Sequence, residues 1–260
     1  VQEAMDLAAV AHLSTIKASV PFVHFFDGFR TSHEIQKIEM IDEAAIKDMI
    51  SEKALKNFRQ RALNPLHPVT RGTNQNPDVF FQATEAANPY YDAVPDIVAR
   101  YMGEISSLTG RKYRPFDYYG APDAQNIIIA MGSVCETIRE VVDALNASGD
   151  KVGVICVRLY RPFSANYFLK VLPKSVKRIA VLDRCKEPGS VGEPLYIDVK
   201  AVLSTVENAP YVVGGRYGLS SKDTTPAQIF AVFENLKHKQ PKNDFTIGIV
   251  DDVTFKSLPV

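Results

Sequence analysis

An apolar run, Pro21-Phe22-Val23-His24-Phe25-Phe26, ends abruptly in Asp27-Gly28-Phe29-Arg30-Thr31-Ser32-His33-Glu34. A carboxylate, a guanidinium, hydroxyls and an imidazole in so short a stretch have the chemistry to bind an anion or move a proton. Arg30 can grip a carboxylate or phosphate with two parallel hydrogen bonds. His33 titrates near neutral pH in an ordinary setting. Asp27, Arg30, Thr31 and His33 are therefore the candidates for groups beside a substrate or cofactor. The local alternative is an ion pair from Asp27 to Arg30 or His33 that pins the loop. No second group at a telling spacing supports His33 as a catalytic base.

A second place suits an anion. Gly132-Ser133 stands just before an apolar-striped helix, where free backbone amides and the positive end of the helix dipole attract negative charge. Arg158 and Arg161 follow the neighbouring strand and would add charge to the same pocket. Ordinary helix capping explains a glycine–serine pair as well. The glycines of Gly214-Gly215-Arg216-Tyr217-Gly218 and Pro188-Gly189-Ser190-Val191-Gly192 lack the spacing of a dinucleotide fingerprint or phosphate loop, and read as turns. Cys135, Cys156 and Cys185 share no metal-ligand or redox spacing, so no metal site is expected and they read as small buried apolar groups. An odd number of scattered cysteines suits a reducing, cytoplasmic setting.

The elements around these residues follow from periodicity. Residues 2–19 predict a helix, and residues 22–26 a buried strand that delivers its polar tail to a sheet edge, where α/β folds bind ligands. Residues 43–61 read as a solvated helix and residues 64–92 as a long irregular connection. A helix is expected over about 94–108, then a linker over 111–122. The second half alternates regularly. Strands are expected at 127–131, 152–157, 179–182, 211–213 and 245–250. Between them come helices opened by a Ser133–Glu136 capping box, by Ser164, by Pro194 and by Thr225-Pro226. Five apolar strands separated by single helices predict an α/β class: a three-layer αβα domain with a mostly parallel sheet, preceded by part of a second α/β domain.

Thirty basic residues balance thirty acidic ones, so no net field points to nucleic acid or an anionic membrane. No apolar run nears the roughly 18 residues that span a bilayer, and the first residues lack the pattern of a secretory signal.

Three stretches carry a resemblance over essentially the whole chain: residues 22–34; His67-Pro68-Val69-Thr70-Arg71-Gly72-Thr73-Asn74-Gln75-Asn76-Pro77-Asp78 with Phe81-Gln82; and Leu182-Asp183-Arg184-Cys185-Lys186-Glu187-Pro188-Gly189. In these the chain resembles the pyruvate:ferredoxin (flavodoxin) oxidoreductases. The resemblance implies that residues 1–117 are the later part of a pyrimidine-binding domain for thiamine diphosphate with its long connecting segment. It implies that residues 118–260 are a domain similar to the C-terminal domain of transketolase. For the parent enzyme it implies thiamine diphosphate, magnesium and iron–sulfur clusters, coenzyme A as acetyl acceptor, ferredoxin or flavodoxin as electron acceptor, and a homodimer. The family's Gly-Asp-Gly motif for magnesium and diphosphate has no counterpart here, nor do closely spaced cluster cysteines. No cofactor is therefore expected on this segment itself.

Three readings compete. The favoured one is a non-catalytic interior portion of such an enzyme, a scaffold and an interface to the remaining domains of the parent chain or to another subunit. The alternative is an independent anion-binding regulatory α/β module acting through Gly132, Ser133, Arg158 and Arg161. A self-sufficient nucleotide-dependent enzyme is the third, and the missing phosphate fingerprint argues against it.

Overall fold

A computed structural model describes residues 1–70 and 74–260, with only the backbone of Arg30. Arg71, Gly72 and Thr73 of the second resemblance stretch lie outside the described residues. The chain divides into two compact units: Val1–Phe25 with Ile35–Pro115, and Phe26–Glu34 with Phe116–Val260. The expected boundary after residue 117 thus falls inside a strand, and the short segment 26–34 groups with the second unit.

Among the described residues of the first unit, the helices are joined by irregular chain and one isolated bridge, Asn64 to His67. α1 (Gln2–Ala18) packs on α7 (Val94–Thr109) through Val10, Leu13, Val98, Tyr101, Met102 and Ile105, all buried. Ser19 at φ 59° ends α1, and Gly110 at φ 73° ends α7, the left-handed stop that helices favour. Asp6 lies fully buried in α1. It accepts hydrogen bonds from Arg111 Nε at 2.6 Å and the Tyr113 hydroxyl at 2.6 Å, while Arg111 also reaches Glu39 at 2.6 Å. Burial raises the Asp6 carboxyl, but the Arg111, Tyr113 and Gln2 hydrogen bonds outweigh it and leave it below the usual range.

Three expectations are corrected in this unit. Residues 22–26 form no strand: a strand is held by neighbours, and among the described residues this unit supplies none. The helix expected over 43–61 breaks into α3 (Glu43–Asp48) and α4 (Glu52–Gln60), because Ser51 accepts the Ala54 amide and starts a second helix. The connection expected over 64–92 contains α5 (Pro77–Glu85) and α6 (Asn88–Asp92), each with a proline in its first turn, where the missing amide costs nothing.

The second unit is the αβα domain. One sheet has the order β1-β3-β2-β4-β5-β6, all parallel except β1. Its strands are β1 (Phe116–Gly120), β2 (Asn126–Ala130), β3 (Val152–Val157), β4 (Arg178–Asp183), β5 (Tyr211–Arg216) and β6 (Phe245–Thr246). α8 (Val134–Ala147) and α11 (Pro226–Lys237) cover one face, over Ile128, Val154 and Val213. α9 (Ala165–Val171) and α10 (Pro194–Leu203) flank the other, over Ile127, Ile129 and Ile155. Side chains alternate across a strand, so the unbroken apolar runs of β2 to β4 serve two cores at once.

β1 replaces part of the expected linker. Gly214, Gly215 and Arg216, read as a turn, extend β5: a Cβ on Gly215 would lie 2.1 Å from the Phe245 ring, and one on Gly214 2.9 Å from that of Tyr196. The glycines make room for rings rather than for a bend. The last strand shrinks from the expected 245–250 to two residues.

Candidate functional site

In an open α/β sheet, ligands bind outside the carboxyl ends of the strands where the strand order reverses. Here β3 lies on one side of β2 and β4 on the other, so the crevice opens at the ends of β2 and β4. β2 delivers Gly132 and Ser133 to it, β4 delivers Arg184, and the chain after β5 adds Tyr217 and Gly218.

Asp27 fills this position. Its Oδ2 accepts the Ser133 amide at 2.7 Å, and its Oδ1 accepts Arg184 Nη1 at 2.5 Å. Arg184 is itself oriented by donating from Nε to the Gly218 carbonyl at 2.9 Å, and the Tyr217 hydroxyl donates to the Met131 carbonyl at 3.3 Å. Burial raises the Asp27 carboxyl, yet the Ser133 amide and hydroxyl and the Arg184 guanidinium overcome it, so Asp27 titrates below the ordinary aspartate range. Burial, then the Asp27 charge, drives the Tyr217 hydroxyl upward.

The capping box expected between Ser133 and Glu136 does not form. Ser133 has φ −63° and ψ −25°, helical values that turn its side chain away from the amides beyond it. A capping residue normally sits in the extended region. Asp27 serves as the cap of α8 from far along the chain. Gly132, at φ 79°, allows this twice over: its backbone is left-handed, and a Cβ there would lie 2.7 Å from Asp27 Oδ2.

The other candidates scatter. Thr31 and His33 lie in a one-turn helix, α2 (Arg30–His33); Thr31 is half-buried, and His33 stacks on Phe29 with ring centroids 5.9 Å apart. The side chain of Arg30 lies outside the described residues. Asp27 pairs with Arg184, and the expected local pair to Arg30 falls on a side chain outside the described residues. Arg158 and Arg161 do not join Ser133. Arg158 lies 3.5 Å from Asp117, while Arg161 binds Asp198 at 2.6 Å and stacks on Tyr160.

Sequence reading missed the adjoining cluster. Asp183, buried at the end of β4, accepts the Leu195 and Tyr196 amides at 3.0 and 3.1 Å and so caps α10. Burial pushes its carboxyl up to about 6 in spite of those two bonds. Glu193, also buried, accepts Arg216 at 3.2 Å, Lys186 at 3.3 Å and the Glu187 amide at 2.7 Å. Arg216 also pairs with Asp244. The available signal was an acid at a strand end followed by a proline-started helix.

Two family models match the chain. Residues 1–103 match pyruvate flavodoxin/ferredoxin oxidoreductase, thiamine diphosphate-binding, and residues 124–229 match pyruvate:ferredoxin oxidoreductase core domain II. The chain belongs to the pyruvate flavodoxin/ferredoxin oxidoreductase family. It is 62% identical over 260 residues to the pyruvate:ferredoxin oxidoreductase of Moorella thermoacetica and 59% identical over 260 residues to the pyruvate-flavodoxin oxidoreductase of Enterobacter agglomerans. To the probable pyruvate-flavodoxin oxidoreductase of Escherichia coli it is 53% identical over 266 residues. In the first two matches all of this chain aligns with 22% of the relative, so it spans about a fifth of these proteins' length. A solved 2-oxoglutarate:ferredoxin oxidoreductase from Magnetococcus marinus overlaps 65% of this chain and 25% of its own, at 16% identity and a TM-score of 0.37.

The family's thiamine diphosphate needs a metal and a cradle for two phosphates. Among the described residues no three His, Cys, Asp or Glu gather as metal ligands. Among the described residues, the amide-and-guanidinium position at the switch-point crevice carries the Asp27 carboxylate, which repels a phosphate. These residues do not fit the group.

Proposed function

We propose that the chain is a supporting interior portion of a pyruvate:ferredoxin/flavodoxin oxidoreductase. In this reading the whole polypeptide oxidatively decarboxylates pyruvate to acetyl-CoA and passes electrons to ferredoxin or flavodoxin. This portion acts as a scaffold and as an interface to other domains, and catalytic groups are supplied elsewhere. The observation that carries the reading is the apolar surface left open around residues 21–40. Val23, Phe25, Ile35 and Met40 are 86%, 63%, 100% and 77% exposed. Large apolar side chains left in water over consecutive turns of chain mark a surface that another body covers. The Asp27 position supports the same reading, because the crevice where such folds hold ligands is used to fasten the segment 26–34.

The test compares the intact polypeptide with this chain produced alone. The chain alone is expected to bind a hydrophobic dye and self-associate, and the intact polypeptide to do neither. In the intact polypeptide, Arg30→Ala is expected to leave the KM for pyruvate and for coenzyme A unchanged. A monodisperse, dye-silent chain, or a KM raised tenfold or more by Arg30→Ala, overturns the scaffold reading.

A further inference from the structure

Two of the three cysteines meet inside the second unit. Cys135 lies in the first turn of α8 and Cys156 near the end of β3. β2 and β3 place Ala130 opposite Cys156, and Cys135 Sγ lies 3.6 Å from the Ala130 carbonyl oxygen. Both cysteines pack into the core beneath α8, each within interaction range of the other. Both residues are buried, 5% and 4% exposed.

Their surroundings are not those of an apolar filler. Arg139, one turn along α8, points Nη2 at the Cys156 sulfur from 3.8 Å. Its Nη1 holds Glu136 at 2.8 Å, while its buried Nε finds no hydrogen-bond partner among the described residues. Arg158, directly after β3, adds a second guanidinium whose side chain is 7% exposed. Asp117 of β1, opposite Cys156 in the register, sets a carboxylate against the sulfur. A guanidinium aimed at a sulfur in a dry site favours thiolate over thiol. The hydrogen bond from Cys135 and the two guanidiniums hold the Cys156 thiol below its ordinary range despite burial. Cys135, the donor in that bond and itself desolvated, is driven well up. Cys185 has the opposite setting: burial, then Asp183, Glu193 and Glu187, push its thiol up to about 11.

The structure assigns Cys135 and Cys156 as a dithiol pair that closes to a disulfide when a peroxide reaches the Cys156 sulfur. That sulfur attacks one oxygen of hydrogen peroxide, the O–O bond breaks, and the departing hydroxide takes a proton to leave as water. Cys156 is then a sulfenic acid. The Cys135 sulfur attacks it, the S–O bond breaks, and a second water leaves with the Cys135 proton. Two thiols lose two electrons, and one peroxide becomes two waters. Division of labour follows from the charges: Cys156 attacks the peroxide and Cys135 resolves.

The intact polypeptide, treated with hydrogen peroxide, alkylated and digested with trypsin without reduction, tests this. Residues 152–158 are expected to be recovered disulfide-linked to residues 113–139, the link vanishing with dithiothreitol and Cys185 remaining alkylated. In Cys135→Ser, a dimedone adduct is expected at Cys156. In Cys156→Ser, labelling of Cys135 is expected to be slower by roughly tenfold or more. Recovery of both peptides fully alkylated at a peroxide dose that oxidises Cys185, or linkage of either cysteine to Cys185, overturns the assignment. The wild-type peptide map decides the matter by itself if a serine variant does not fold.

Discussion

Asp27 is a single carboxylate with two tasks: it ends the ladder of free amides at α8 and neutralises Arg184. Caps of this kind are worth about 1 kcal/mol, and a hydrogen bond to a charged group about 1.5–3 kcal/mol. Asp27→Ala is expected to destabilise the second unit by about 2 kcal/mol. Amide exchange should speed up in residues 26–34 and in the first turn of α8, and much less in β4. Asp27→Asn keeps an acceptor for the Ser133 amide and loses the charge, so about half of that loss is expected. Gly132→Ala gives an independent check, because its Cβ would strike Asp27 Oδ2. In wild type it is expected to cost both backbone strain and the displaced carboxylate. In the Asp27→Ala background only the strain of about 1–2 kcal/mol remains. Equal costs in the two backgrounds would show that the two residues do not meet. In the first unit, Asp6→Ala leaves Arg111 and Tyr113 facing a hole where a buried charge stood. A loss of about 3 kcal/mol in urea unfolding is expected there.

Elements were legible in the sequence where local chemistry alone decides them. β3 reads as an apolar run between polar ends, and α11 opens on Thr225-Pro226 with Gln228 closing a true capping box. They were illegible where pairing decides. Phe116-Asp117-Tyr118-Tyr119-Gly120 has the composition of a turn, and becomes β1 because the edge of β3 offers it a ladder. Residues 22–26 have the composition of a strand, and form none because no ladder is offered among the described residues. The candidate site splits the same way. Asp27 and Ser133 stood out as polar groups at an apolar run's end, whereas Arg184 is joined to Asp27 only by the fold. The glycines of β5 were legible as glycines but not as contacts. Gly215→Ala is expected to be destabilising by about 1–3 kcal/mol, the usual cost of overpacking a core, although the backbone there is ordinary strand. Phe245→Leu, which removes the ring edge that the new methyl would strike, is expected to recover part of that loss. If Gly215→Ala is neutral in thermal unfolding, the close approach of Phe245 is not a constraint on β5.

Across the molecule, thirty acids balance thirty bases, so near neutrality the pH dependence of stability is set by individual shifted carboxyls rather than by net repulsion. They act in opposite directions. Asp183 is raised to about 6, chiefly by burial, so the folded state holds its proton more tightly than the unfolded chain does. Its contribution is fully present below the unfolded aspartate value of about 3.9 and is lost as pH rises through about 6. Asp27 is lowered, as is Asp244 through Arg216 and Lys256 although burial opposes them. Their contributions are present above the unfolded value and disappear as pH falls below it. The second unit is therefore expected to gain stability between pH 7 and about 5 and to lose it below about 4. Urea titrations read by amide exchange in β2, β3 and β4 would show this as a maximum on the acid side of neutrality. Asp183→Asn cannot bind the proton, so the rise between pH 7 and 5 is expected to vanish while the acid loss stays. Asp27→Asn is expected to soften the acid loss and leave the rise intact. A stability that falls steadily from pH 7 to 4 in wild type would mean that the two helix amides hold Asp183 ionised, with burial at the end of β4 the weaker influence.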